Sequence, residues 1–144
     1  MAKNNESQIK NEIFSLLREN QVSYLATCVN DQPYVRPLIL FYAYGRFWYV
    51  SFKNDPKTAQ INANKNVEVC IPLHESGNTG FIRAQGTAKI IKDNNLKADA
   101  IDFCYFFDDY FDGADDPDYL LIEIVFHQMS LMRPGETYTS KISL

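Results

Sequence analysis

Lys57 and Thr58 follow Asn54-Asp55-Pro56, a run that starts a helix with Asp55 as N-cap and Pro56 at the first helical position. A helix start carries partial positive charge and unpaired N–H groups, so a lysine there is mildly unfavourable by itself. The placement becomes favourable when an anion sits over the start, held by free amides, the Lys57 ammonium and the Thr58 hydroxyl. Phosphate is the anion such a cradle suits. The same residues also describe a solvated lysine on an ordinary helix, and the motif alone leaves both readings open. Arg36 is the second group of interest. Val35 and Pro37 flank it in a stretch otherwise fit for burial, and a buried guanidinium needs a partner. A phosphate would serve, as would a carboxylate at an interface or barrel mouth.

Other chemistries find little support. Asp108, Asp109, Asp112, Asp115, Asp116 and Asp118 miss the register of a calcium-binding EF-hand and read as a solvated helix-end loop. No G-x-S-x-G elbow is present, and His127 falls on the polar side of its strand. Cys28, Cys70 and Cys104 are odd in number, far apart and without C-x-x-C spacing; with only His74 and His127 to help, they argue against a disulfide framework and against a metal site. The net charge of −4 lacks the basic footprint of a nucleic-acid binder. Met1 to Glu6 is polar, unlike a secretory signal. The longest apolar run, Leu38 to Ala43, is far short of the roughly 20 residues that span a bilayer. A cytoplasmic protein without a membrane or nucleic-acid partner is expected.

The elements that must position Lys57 and Arg36 follow from periodicity. Glu6 to Asn20 reads as a helix with Ile9, Ile13, Leu16 and Leu17 on one face. Strands follow at Val22 to Val29, Tyr34 to Ala43 and Arg46 to Phe52, joined by turns at Asn30-Asp31-Gln32-Pro33 and Tyr44-Gly45. The middle strand is apolar on both faces, as in a barrel wall whose outside meets a helix or another subunit. After the short helix that begins at Asp55, Val67, Val69, Ile71 and Leu73 alternate as a half-buried strand. His74 to Gly80 reads as a loop, and Phe81 to Ile91 alternates again around Gly86, an interior glycine that marks a bulge or a close approach. Leu96 to Phe111 returns to helical spacing, and Tyr119 to Gln128 forms a long strand continuing through Met132. With so few helical crossovers, the expected fold is mainly β with flanking helices, an antiparallel, Greek-key-like barrel in one domain over residues 1–144.

In that order, Tyr24-Leu25-Ala26-Thr27, Tyr34-Val35-Arg36-Pro37-Leu38, Gly45 to Ser51, Lys57 with Ala59-Gln60-Ile61, Asn66-Val67 and Ile82 to Ala88 give the chain its family likeness. From Val22 to Lys92, and more weakly to Arg133, it resembles the pyridoxamine 5′-phosphate oxidase-like, FMN-binding split-barrel family. The resemblance implies a homodimer with two FMN sites in clefts between subunits. Arg36, Pro37 and Leu38 would line the flavin edge, Val50 and Ser51 would meet the ring system, and Lys57 with Thr58 would hold the phosphate, within reach of Arg36. A phosphate-binding arginine that precedes the lysine in true oxidases is Pro56 here, and the register near Phe52 and Lys53 differs by about one residue. The end, Leu131-Met132-Arg133-Pro134-Gly135, lacks the Arg-x-His pair that grips vitamin B6 substrates. The chain therefore looks more like the short, general-stress-protein-type members. An FMN-dependent oxidoreductase or flavin reductase acting on a small molecule is the implied function, with no side chain standing out as catalytic. Two alternatives share the scaffold: a non-catalytic module that stores or senses flavin or haem, and a deazaflavin-dependent reductase.

Overall fold

The computed structural model describes residues 2–144. Three tight hairpins set its pairing. Asn30-Asp31, Tyr44-Gly45 and Ser76-Gly77 each place two successive residues at positive φ (51° and 64°, 56° and 70°, 51° and 80°), the turn whose twist matches that of the flanking strands. They join β1 (Asn20–Val29) to β2 (Gln32–Ala43), β2 to β3 (Arg46–Phe52), and β4 (Asn66–Glu75) to β5 (Asn78–Ile91). The seven-residue loop expected at His74 to Gly80 is thus a two-residue turn, with most of its residues drawn into the ladder.

After β3 the chain turns through α2 (Pro56–Ala63), which delivers β4 to the free edge of β1. A second crossover returns it as β6 (Tyr119–Met132), which pairs with β5 along one edge and with β3 along the other. The antiparallel ring closes in the order β3-β2-β1-β4-β5-β6. The mainly β, Greek-key-like split barrel with flanking helices is therefore the fold. One strand went unread in the polar tail: β7 (Ser140–Ser143) pairs with the far half of β6.

Two apolar clusters flank the sheet. Inside the ring lie Leu25, Leu40, Tyr49, Val69, Ile82, Ile122 and Ile124, with Ile13 of α1 (Ala2–Leu16). That helix ends earlier than Asn20 because Glu19 and Asn20 are already paired with Tyr42 and Phe41 of β2; Leu16, expected on the buried face, is exposed. The outer cluster joins Phe41, Trp48, Val50 and Leu121 to the rings of Phe107, Phe111 and Tyr119. Both faces of β6 are consequently buried from Tyr119 to Ile124.

The segment expected as one helix from Leu96 to Phe111 is two, α3 (Asn94–Phe103) and α4 (Phe107–Tyr110). The break has a packing cause. Residues 103 and 105 of an unbroken helix would point about 200° apart, yet Phe103, Tyr105 and Phe106 all approach Phe41, with centroids at 5.3, 6.2 and 5.8 Å. Extended backbone at Cys104 (φ −91°, ψ 99°) brings the three rings to one side.

Burial on both faces of β2, expected from Tyr34 to Ala43, holds only near Leu40 and Phe41; Val35 is 68% exposed. Gly86, by contrast, behaves as an interior glycine should. The β5–β6 register shifts between Gln85 and Gly86, and a Cβ added at Gly86 would stand 2.2 Å from the Val125 carbonyl oxygen. Gly86→Ala is expected to destabilise the protein by about 1–3 kcal/mol in urea unfolding, because backbone must move to admit one methyl group.

Candidate functional site

The ladder between β2 and β3 is short. Phe41, Tyr42 and Ala43 pair with Trp48, Phe47 and Arg46, and there the pairing stops. Beyond it β2 stays bonded to β1 and β3 stays bonded to β6. The two strands therefore diverge, leaving their facing backbone edges without a ladder partner. This opening is the split in the barrel. A cleft of about 610 Å³ fills it, floored by Pro37, Leu38 and Ile39 of β2 and by Val50, Ser51 and Phe52 of β3. Asp55 and Lys57 form one end, and Tyr105, Phe106, Asp109, Tyr110 and Phe111 form the far wall.

Lys57 is not a solvated first-turn lysine. It is 2% exposed, and its ammonium donates to Ser51 Oγ at 2.5 Å and lies 2.8 Å from Asp55 Oδ1. The same carboxylate oxygen accepts the Lys57 amide at 2.9 Å, so Asp55 caps α2 and pairs the side chain above it at once. Burial pushes the Lys57 pKa below its ordinary value, with Asp55 opposing. Partial burial works to raise the Asp55 pKa, but hydrogen bonds from Lys57 and the charges of Lys57 and Arg36 outweigh it and leave the carboxyl below its ordinary value. The two groups stand as an ion pair whose oxygen already occupies the place an anion would take at the start of α2.

Of the seven residues expected at the site, Pro37, Leu38, Val50, Ser51 and Lys57 line the cleft together. Arg36 and Thr58 do not. The Thr58 hydroxyl donates to the Phe52 carbonyl at 3.3 Å. Half-buried Arg36 points to the other side of α2, donating to the Leu25 carbonyl at 3.2 Å, to Thr27 Oγ1 at 2.9 Å and to Gln60 Oε1. All three partners are neutral, so neither the expected carboxylate partner nor a direct place in the cleft is seen. Burial lowers its pKa, with Asp55 opposing. Gln60 and Thr27 anchor it.

Sequence reading missed the far wall. Tyr105, Phe106, Asp109 and Tyr110 reach the cleft only because the chain breaks at Cys104, and helical spacing concealed that break. The signal present was the density of rings, six aromatic residues between Phe103 and Phe111. A second groove of about 650 Å³ lies beside Glu12, Gln21, His74 and Arg133. There Arg133 grips Glu12 at 2.7 and 2.8 Å and Glu136 at 3.3 Å, and Arg18 also lines the groove; none of the seven expected site residues does.

Comparison with known proteins agrees with the fold. The family described as pyridoxamine 5′-phosphate oxidase matches residues 9–133. General stress protein 26 of Bacillus subtilis (strain 168) is 29% identical over 133 residues, which are 92% of this chain and 94% of that protein. The crystal structure of general stress protein 26 from Bacillus anthracis str. Sterne superposes with a TM-score of 0.73 at 21% identity, covering 95% of this chain and 99% of that one. A FAD-binding protein from Mesorhizobium loti shares the fold with a TM-score of 0.69 at 23% identity, over 85% of this chain and 90% of that one.

The double role of Asp55 yields a prediction. Asp55→Asn keeps a capping oxygen but removes the charge beside Lys57, whereas Asp55→Ala removes both. In urea unfolding at neutral pH, Asp55→Ala should be less stable than Asp55→Asn by about 1 kcal/mol, the worth of a cap. Because folding lowers the Asp55 pKa, its stabilisation is complete above the ordinary carboxylate pKa and is lost as pH falls through the folded value. Asp55→Asn should therefore flatten part of the acid limb of the stability profile.

Proposed function

This chain belongs to the pyridoxamine 5′-phosphate oxidase family, and from that premise we propose that it is an FMN-binding oxidoreductase whose cofactor lies in the β2–β3 cleft. The observation that carries the reading is the buried ammonium of Lys57, held at the end of an apolar slot by Ser51 and Asp55. The donor set fits a phosphorylated tricyclic ring. The cleft lies within the roughly 300–1,000 Å³ usual for small-molecule sites. Its apolar floor suits a flat ring system, its open strand edges supply backbone donors and acceptors, and its one buried cation suits a phosphate.

On this reading each residue has a positioning task. Lys57 and Ser51 grip the phosphate, and Asp55 gives up part of its hold on the ammonium in exchange. Pro37, Leu38 and Val50 fix the plane of the ring and keep water from one of its edges. Arg36, braced by Thr27 and Gln60, adds positive potential behind the start of α2 without touching the cleft. FMN, when bound, would supply the electron chemistry, and the protein would orient it and tune it by hydrogen bonds.

A homodimer belongs to the same proposal. Val22, Tyr24, Val35 and Pro37 are exposed. Ala26 stands opposite Val35 and Tyr24 opposite Pro37 across the β1–β2 ladder, so these residues form one apolar stripe on the outer face. Pro37 also lines the cleft, and a second copy lying on the stripe would complete its rim. No helix among the described residues is long and apolar enough to cross a membrane, and a cytoplasmic setting is part of the proposal. The rival with specific support is a module that holds the cofactor without turnover, since Lys57 and Asp55, the cleft's most buried ionisable groups, are engaged with each other.

Titration with FMN and with riboflavin tests the site. The protein should quench FMN fluorescence and acquire a flavin absorption band. Lys57→Ala should weaken FMN binding by about tenfold or more, the scale of one charge-assisted contact, while leaving riboflavin affinity unchanged. A protein that stays colourless and leaves FMN unquenched refutes the reading, and a haem or shorter-wavelength deazaflavin band redirects it. Failure to speed flavin reduction with NAD(P)H, despite binding, favours the non-catalytic module. For the assembly, Val35→Glu should shift sedimentation from dimer to monomer and loosen FMN in parallel.

A further inference from the structure

The far wall of the cleft is built unlike its floor. Tyr105 and Tyr110 are 67% and 59% exposed, and Phe52 is 42% exposed, although large rings are ordinarily drawn inward. They are not loose. Tyr105 meets Phe106 at 5.3 Å and 88°, Phe106 meets Tyr110 at 5.9 Å and 78°, and Tyr110 meets Phe52 at 5.6 Å and 86°. Every contact in this chain of four rings is edge-to-face. None of these pairs is stacked; each covers one face of one ring, and Phe52 also packs on Phe111 at 5.0 Å, while the outer surfaces of Tyr105 and Tyr110 stay open.

The charges around the cleft are equally one-sided. Lys57 is the only cation among the lining residues, and Asp55 already sits 2.8 Å from it. Asp109 adds a second carboxylate on the opposite wall, in the same turn as Tyr110. Once a phosphate is seated on Lys57, nothing positive in the lining remains to receive another anion. An anionic guest would instead meet the exposed Asp109 carboxylate, a like charge whose repulsion solvent weakens but does not remove.

We propose that the cleft takes a second, planar aromatic ligand bearing no anionic group, stacked on the Phe52, Tyr105 and Tyr110 wall and selected for its charge by Asp109. The proposal rests on the flavin reading for the phosphate on Lys57. It adds the class of the reaction partner, neutral or cationic rings, with phosphorylated and carboxylated ones turned away.

Three near-isosteric probes test it on the FMN-loaded protein by isothermal titration calorimetry, with no turnover required: quinoline, N-methylquinolinium and 2-naphthoate. Quinoline and N-methylquinolinium should bind, and 2-naphthoate should bind about tenfold more weakly or worse, the scale of one unfavourable charge contact at the edge of a cleft. Asp109→Asn should narrow the gap between cation and anion, and Asp109→Lys should reverse it. Tyr110→Ala should weaken all three. Equal or tighter binding of 2-naphthoate, a cation-to-anion ratio indifferent to Asp109, or no binding by any of the three would overturn the proposal. Should the protein take up no FMN, the flavin reading fails by itself; the same titrations on the FMN-free protein then decide the charge preference of the wall, with the same outcomes counting for and against.

Discussion

A β-strand has two hydrogen-bonding edges, and β3 divides one of them. From Phe47 to Phe52 β3 is bonded to β6, but β2 accompanies it for only three residue pairs. Because β2 remains bonded to β1 over the rest of its course, neither strand can swing across to close the gap. The ring closes through β6, and the opening between β2 and β3 is what closure there costs. A slot with free backbone edges, walled by side chains of two strands, follows directly from that pairing.

At the end of the slot the same geometry explains a buried lysine. β3 ends at Phe52, and only three residues separate it from α2, so the first turn of α2 is pressed against Ser51. Lys57 cannot reach bulk water from there. A lone ammonium in such a place would cost several kcal/mol, and the molecule meets that cost with one residue, Asp55, which caps the helix and neutralises the side chain together. Arg36 is treated differently: its guanidinium is bound by a carbonyl, a hydroxyl and an amide oxygen, and its charge is left uncompensated at close range.

Much of this was legible in the residues. Alternation in Val67 to Leu73 and the double-sided apolarity near Leu40 and Phe41 placed strands where they are found, and Asp55-Pro56 marked the start of α2 to the residue. Five of the seven expected site residues line one cleft, carried there by the β1–β2–β3 meander and the start of α2. What stayed hidden depended on tertiary contact. The break at Cys104 arises from three rings competing for one face of Phe41, which no local pattern encodes. β7 is polar outside Ile142 and is a strand only because β6 offers it an edge. The burial of Lys57 was concealed by its charge, since helix-start lysines are usually solvated. Thr58 and Arg36 missed the cleft for a related reason: proximity along the chain, or along a strand, does not fix which side of α2 a side chain takes.

If the gap between β2 and β3, ended by Lys57, is the ligand site, bound FMN must cover the backbone edges that face it. Hydrogen exchange followed by mass spectrometry, with and without saturating FMN, reads it directly, because the backbone edges facing that gap lack ladder partners. Slowed exchange confined to peptides covering residues 37–41, 49–58 and 105–111 is expected. Protection appearing instead around Glu12, His74 and Arg133, or bound FMN that leaves those three segments unchanged, would contradict it.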